Sequence, residues 1–177
     1  MKRLIPGTIS LFLLLLASAY AAEAQPGVSS TVTGHITAEV ISTLSAVETS
    51  QLSFGKFSPG PQGGSLILNP ENTISVVGSV WPGSGSHSAA SFYVTGDPGI
   101  SYTVSLPVSP VTITHVNSPR TMTVEDWKSV PLAEPGAGLL ENGSQVVYVG
   151  ATLKVGTLND NPVGVYTGTY AITFEFN

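Results

Sequence analysis

The sequence predicts an all-β protein: a single antiparallel β-sandwich following a cleaved export leader. Three observations carry that reading. Nineteen Gly and 13 Pro are spread along 177 residues, with no useful stretch of helical periodicity, and helix interiors tolerate neither residue well. Short runs rich in Val, Ile, Thr, Tyr and Phe recur between turn signals. The C-terminal runs alternate strictly between apolar and polar positions, the period of a half-buried strand.

The chain opens with Lys2-Arg3, an apolar run over residues 4–16 interrupted by Pro6-Gly7, and then Ala17, Ser18, Ala19, Ala21, Ala22 and Ala24. Basic, apolar, then small is the layout of a secretory signal peptide. Cleavage is expected after Ala24, with Ala21 the rival position. A transmembrane anchor is the weaker reading, because spanning needs about 20 uninterrupted apolar residues. The expected organisation is therefore a signal peptide at 1–24, an N-terminal arm at 25–35 and a sandwich over 36–177. The product is expected outside the cytoplasm, in the periplasm, on the cell surface or in the medium. There is no cysteine, so packing and strand pairing must supply the stability that small exported domains often take from disulfides.

Strands are expected near residues 34–46, 51–57, 65–68, 73–81, 90–95, 100–106, 111–115, 121–127, 145–155 and 165–176. Between them, the Pro/Gly-rich stretch 58–64, Asn69-Pro70, Pro82-Gly83, residues 96–99 and Asn142-Gly143 favour turns through fixed φ at Pro and tolerated positive φ at Gly and Asn. Asn142-Gly143 predicts a two-residue hairpin joining Leu139-Leu140 to Val146-Val147. In the run that follows, Val147, Val149, Ala151, Leu153 and Val155 share one face, with Thr152 and Lys154 on the other. In the last run Tyr166, Gly168, Tyr170, Ile172, Phe174 and Phe176 share the face toward the core.

The chemistry in the sequence is sparse. The net charge is −5, which suits nucleic acid poorly because that partner requires clustered cations. His35, His87 and His115 are isolated, and there is no Cys to act as a nucleophile beside one. Gly83-Ser84-Gly85-Ser86 lacks the strand-to-helix setting of a nucleophile elbow. Glu125 and Asp126 are adjacent, so on a strand they point to opposite faces. Asn159-Asp160-Asn161 is too short for a dedicated calcium loop and reads as a polar turn. No catalytic residue, metal or cofactor is expected. Trp81, Trp127, Tyr93 and Tyr102 are candidates for a sugar-stacking platform, against the ordinary alternative of core packing.

Residues 163–177 then add a specific signal: a glycine fourteen residues from the end (Gly164), alternating apolar residues and a penultimate aromatic (Phe176). This segment resembles the final strand of chaperone–usher pilins and fimbrial adhesin subunits. Upstream, Leu52-Ser-Phe-Gly55, residues 92–107, Met122-Thr-Val124 and residues 149–153 resemble an exported bacterial family labelled a domain of unknown function, similar to pilin-like and spore-coat-type sandwiches. The resemblance spans residues 34–177 and implies an immunoglobulin-like sandwich that lacks one strand. Pilins of that type carry a disulfide near the first strand, which this chain cannot form.

The resemblance also implies assembly by strand addition, first with a periplasmic chaperone and then with a like subunit. Gly164, Tyr166, Gly168, Tyr170, Ile172, Phe174 and Phe176 would form one wall of the acceptor groove. Val28, Val32 and Ile36, followed by Ala38 and Val40, would share the apolar face of a donor strand. The same alternation also suits a complete sandwich in which that segment folds onto its own body. The expected function is a non-catalytic structural or adhesion subunit. The alternative is a monomeric module that binds a glycan or host surface.

Overall fold

The structure, a computed structural model, describes residues 27, 29–41 and 43–176. The leader, Val28 and Asn177 lie outside the described residues. The chain divides into two units, 1–39 and 40–177. In the first, residues 29–39 form no helix or strand, and Val32 is 87% and Ile36 97% exposed.

The second unit is an antiparallel β-sandwich, and no helix occurs among the described residues. Its strands are β1 (Ser45–Ser50), β2 (Phe57–Leu68), β3 (Ile74–Pro82), β4 (Ala90–Thr95), β5 (Ser101–Ser105), β6 (Val111–His115), β7 (Thr121–Val130), β8 (Gly138–Leu139), β9 (Ser144–Val155), β10 (Tyr166–Thr167) and β11 (Thr173–Phe176). The larger sheet runs β1-β4-β9-β7-β6-β10, with the β2–β3 pair joined to β9 as a branch. The smaller sheet runs β11-β5-β8.

The spine is β9, and its sequence explains why. Val147, Val149, Ala151, Leu153 and Val155 are all buried, as the alternation requires. Along one edge β9 pairs first with β4, through residues 144–149, and then with β2, through residues 151–155. The sheet therefore forks at Gly150. A Cβ there would run into the Leu68 carbonyl oxygen and the Asn69 backbone, so only glycine lets the two branches meet this closely. Thr152 points away from the core as expected, yet it is buried, being flanked across the ladders by Ile67 and Glu125.

Two hydrophobic clusters result. The first centres on Leu66, Val80, Met122, Val124, Ala151, Leu153 and Val155. The second centres on Ala90, Val94, Tyr102, Val104, Leu140, Val147 and Val149. Burying each large aliphatic or aromatic side chain contributes about 1.5–3 kcal/mol.

Five expectations need correction, the first being the strand near 51–57, where Ser53 makes only an isolated bridge and β2 begins at Phe57. No strand occupies the described residues between 34 and 44; pairing begins at Ser45, opposite Thr95. The Pro/Gly-rich stretch 58–64 does not reverse the chain but lies within β2. It makes a large bulge there, since pairing jumps from Pro59↔Val80 to Gly64↔Gly78 and Gly63 adopts φ 65°. The Asn142-Gly143 turn forms, with the Gly143 amide donating to the Leu140 carbonyl at 3.2 Å. Its two arms nevertheless enter different sheets, because β8 pairs with β5 while β9 pairs with β4. Finally, the last run is not one strand. β10 pairs with β6 in the larger sheet and β11 with β5 in the smaller, while residues 168–172 cross between them.

Candidate functional site

The two clusters are covered unequally. The second lies under β5, β8 and β11, with Tyr170, Ile172 and Phe174 packed against it. Over the first, a groove of about 680 Å³ remains. Its floor is apolar: Val111 and Ile113 from β6, Met122, Val124 and Trp127 from β7, and Leu153 from β9. One wall is residues 51–59 and the other residues 161–170.

Neither wall is a continuous strand. In the first, Ser53 makes an isolated bridge with Ser88 and strand β2 starts only at Phe57. In the second, the chain leaves the β6 ladder after Thr167 and rejoins a ladder at Thr173. Residues 168–172 belong to no strand, yet the side-chain period persists through them: Tyr166, Tyr170, Ile172 and Phe174 are half-buried, and the odd-numbered residues from Val165 to Glu175 are exposed. Extended backbone keeps its two-residue alternation whether or not a partner strand is present.

The second wall is anchored at His115, which is buried. Its Nδ1 accepts from the Asn117 amide at 3.0 Å. That assigns the proton to Nε2, which donates to the Val163 carbonyl at 3.2 Å. The ring meets Tyr166 edge-on with centroids 5.0 Å apart. Gly164 passes so close that a Cβ would overlap the imidazole, which explains the glycine at this position. Asn161 fixes the wall's start by accepting from the Gly156 amide at 2.6 Å and donating to the Thr121 carbonyl at 2.8 Å. Tyr166 Oη closes the turn by donating to the Pro162 carbonyl at 2.9 Å.

Trp127 and Tyr170 stack at the boundary between the clusters, with centroids 4.6 Å apart. Trp127 Nε1 and Tyr170 Oη are buried without a hydrogen-bond partner. Burial pushes the Tyr170 phenol up to about 12, with the nearby Glu48 carboxylate adding to the effect. The outer lip of the groove is apolar: Leu158, Val163 and Val165 are 52%, 87% and 65% exposed.

Of the residues expected along a groove wall, Gly164, Tyr166, Gly168 and Tyr170 line it. Ile172 and Phe174 instead pack on the second cluster, because the chain has by then crossed to the other sheet. Phe176 pairs opposite Tyr102 and is 38% exposed. The opposite wall, residues 51–59, was not legible as such, because its apolar residues read as an ordinary strand.

The expected aromatic platform does not assemble. Tyr102 is fully buried, donating to Gln145 Oε1 at 2.7 Å, and Trp127 belongs to the core, while Trp81 and Tyr93 remain exposed. Glu125 pairs with Lys154 at 3.1 Å, and a bulge follows at Asp126, whose φ is 52°. Asp160 is engaged by the Thr157 hydroxyl and amide, which hold its carboxyl below the usual range.

The sequence pattern that defines the family described as a domain of unknown function, DUF4402, matches residues 44–176. No curated protein and no solved structure matches the chain.

Proposed function

Taking as premise that the chain belongs to the DUF4402 family, we propose that it is a non-catalytic subunit of an exported surface structure. Its groove accepts an extended segment from another copy. The carrying observation is the groove itself, an apolar floor flanked by two wall segments that join a strand over only part of their length, from Phe57 in one and at Tyr166–Thr167 in the other. A strand laid between them would complete the burial of Val111 and Ile113, which are half-buried, and give both walls a hydrogen-bonding partner.

The occupant this reading selects is the segment 28–40 of a neighbouring copy. Its even positions Val28, Val32, Ile36, Ala38 and Val40 are apolar, and Val32, Ile36 and Val40 are 87%, 97% and 97% exposed. Three large apolar side chains so fully exposed are costly unless something covers them. Residues 32–40 of the donor, nine in number, span about 30 Å as a strand, comparable to a wall of nine residues at 51–59. Export, by the leader at 1–24, and a periplasmic chaperone that guards the groove before assembly belong to the same proposal.

The test uses the chain from Gln25 onward. It should form oligomers whose size rises with concentration, and deletion of residues 25–40 should leave a monomer. A synthetic peptide of residues 28–40 should then bind that monomer and raise its melting temperature, while the same peptide carrying Val32→Asp and Ile36→Asp should not. A full mature chain that stays monomeric at millimolar concentration, together with a peptide that leaves the truncated form unchanged, overturns the reading.

A further inference from the structure

The fork in the larger sheet leaves a second recess, on the face opposite the groove. Because β4 and β2 share one edge of β9 end to end, a notch opens where they part. Its volume is about 420 Å³, within the usual range for small-ligand sites. The β2–β3 turn contributes Glu71 and Asn72, the entry to β4 contributes Ser88 and Ser91, and β9 contributes Tyr148.

The recess is pre-organised. Asn72 sits at φ 59°, and its Oδ1 accepts from the Ala89 amide at 2.9 Å. His87 Nε2 donates to the Asn72 carbonyl at 3.2 Å, and the Asn69 amide donates to the Thr73 carbonyl at 2.9 Å. These bonds pin the turn to the start of β4. They also orient the Asn72 side chain, leaving its Nδ2 hydrogens uncommitted.

Beside the recess lies an exposed aromatic shelf. Tyr148 is 46% and Tyr93 44% exposed. The register places Tyr93 opposite Val146 and Tyr148 opposite Ser91, so the two tyrosines are diagonal neighbours on one face, within reach of each other. Val47 and Val130 flank them across the ladders and are also exposed.

We propose that this fork recess and the Tyr148 ring form a binding site for a neutral saccharide. A pyranose presents an apolar face that stacks on an aromatic ring and hydroxyl edges that need both donors and acceptors. Tyr148 supplies the ring, the Glu71 carboxylate accepts, Asn72 Nδ2 donates, and the Ser88 hydroxyl, whose own proton goes to the Gln51 carbonyl at 2.8 Å, accepts. Tyr93 extends the shelf toward a second sugar unit. No Lys or Arg lines the recess and Glu71 has no ion pair among the described residues, so a sialylated or sulfated glycan would meet an uncompensated negative charge. A peptide strand is disfavoured, because β4, β9 and β7 all have neighbours on both sides and offer no free edge. The site uses no residue of the groove and stands whether or not the groove accepts a strand.

The test is a glycan array carrying neutral, sialylated and sulfated oligosaccharides, probed with the mature chain, followed by titration with the best neutral oligosaccharide. Binding should be confined to neutral glycans. It should fall about tenfold or more in Tyr148→Ala and in Glu71→Gln, persist in Tyr148→Phe and survive deletion of residues 25–40. All of these substitutions are at exposed positions, and an unchanged melting temperature confirms folding. Absence of binding, a preference for anionic glycans, or binding indifferent to Tyr148→Ala overturns the proposal. So does a Tyr148→Ala chain that changes only its oligomeric state, which would make this face a contact between copies.

Discussion

The two halves of the sandwich share β9 and the same kind of residues, yet they are finished differently. Around Tyr102 a three-stranded sheet closes the core, and Leu140, Val147 and Val149 are fully buried. Around Leu153 the sheet side is equally well packed, but the covering layer consists of two extended wall segments with a groove between them. The difference teaches that burial on the sheet side does not measure completeness. A core residue can be shielded by its own strand neighbours while a groove lies over it.

Substitutions should expose that contrast, starting with the largest effect. Leu140→Ala, in the closed half, should cost about 3 kcal/mol in denaturant unfolding. Ile113→Ala, on the groove floor, should cost roughly half as much, since the side chain is only half-buried. Its cost should grow once the 28–40 peptide is bound. Equal costs in the free protein would break the comparison.

Gly164→Ala should destabilise by about 2 kcal/mol, by forcing a methyl group into the His115 ring. The same substitution should weaken peptide binding, because the displaced segment is a groove wall. Wild-type peptide affinity in this variant would show that the wall contributes nothing to docking.

The two buried tyrosines give a smaller, opposed pair. Tyr102→Phe removes the hydrogen bond to Gln145 and should cost about 1 kcal/mol. Tyr170→Phe removes a buried hydroxyl that has no partner and should stabilise by about 1 kcal/mol, read from the denaturant midpoint. Both phenols are pushed up by burial to about 12 in the folded chain. The folded state therefore holds its protons after the unfolded chain has begun to lose them. Stability should be intact below pH 10, fall between pH 10 and about 12, and fall less steeply in Tyr170→Phe.

The sequence made most strands legible and their partners obscure; the first is an exception, since the expected runs 34–46 and 51–57 lie on either side of most of β1. The β9 alternation from Val147 to Val155 and the even-numbered aromatics from Tyr166 to Phe176 both point toward core, because side-chain period depends on extended backbone alone. Ladder membership depends on which chain lies alongside, so the crossing after Thr167 left no mark in the pattern. For the same reason Asn142-Gly143 signalled a turn but not that its arms serve different sheets. Turn chemistry at 58–64 was equally ambiguous, since Pro and Gly suit a bulge as well as a reversal. Gly164, singled out by its spacing from the end, packs against His115 and lines the groove. The fork at Gly150, and with it the outer recess, is invisible in sequence because it depends on three strands meeting.

The crossing of residues 168–172 acts as a stitch between the layers. Its two ends are held by β6 and β5, so neither layer can come away without releasing the other. Heating should accordingly give one calorimetric peak for the whole domain, not a separate one for each half. A single proteolytic nick near the exposed Thr169 should therefore loosen both layers together.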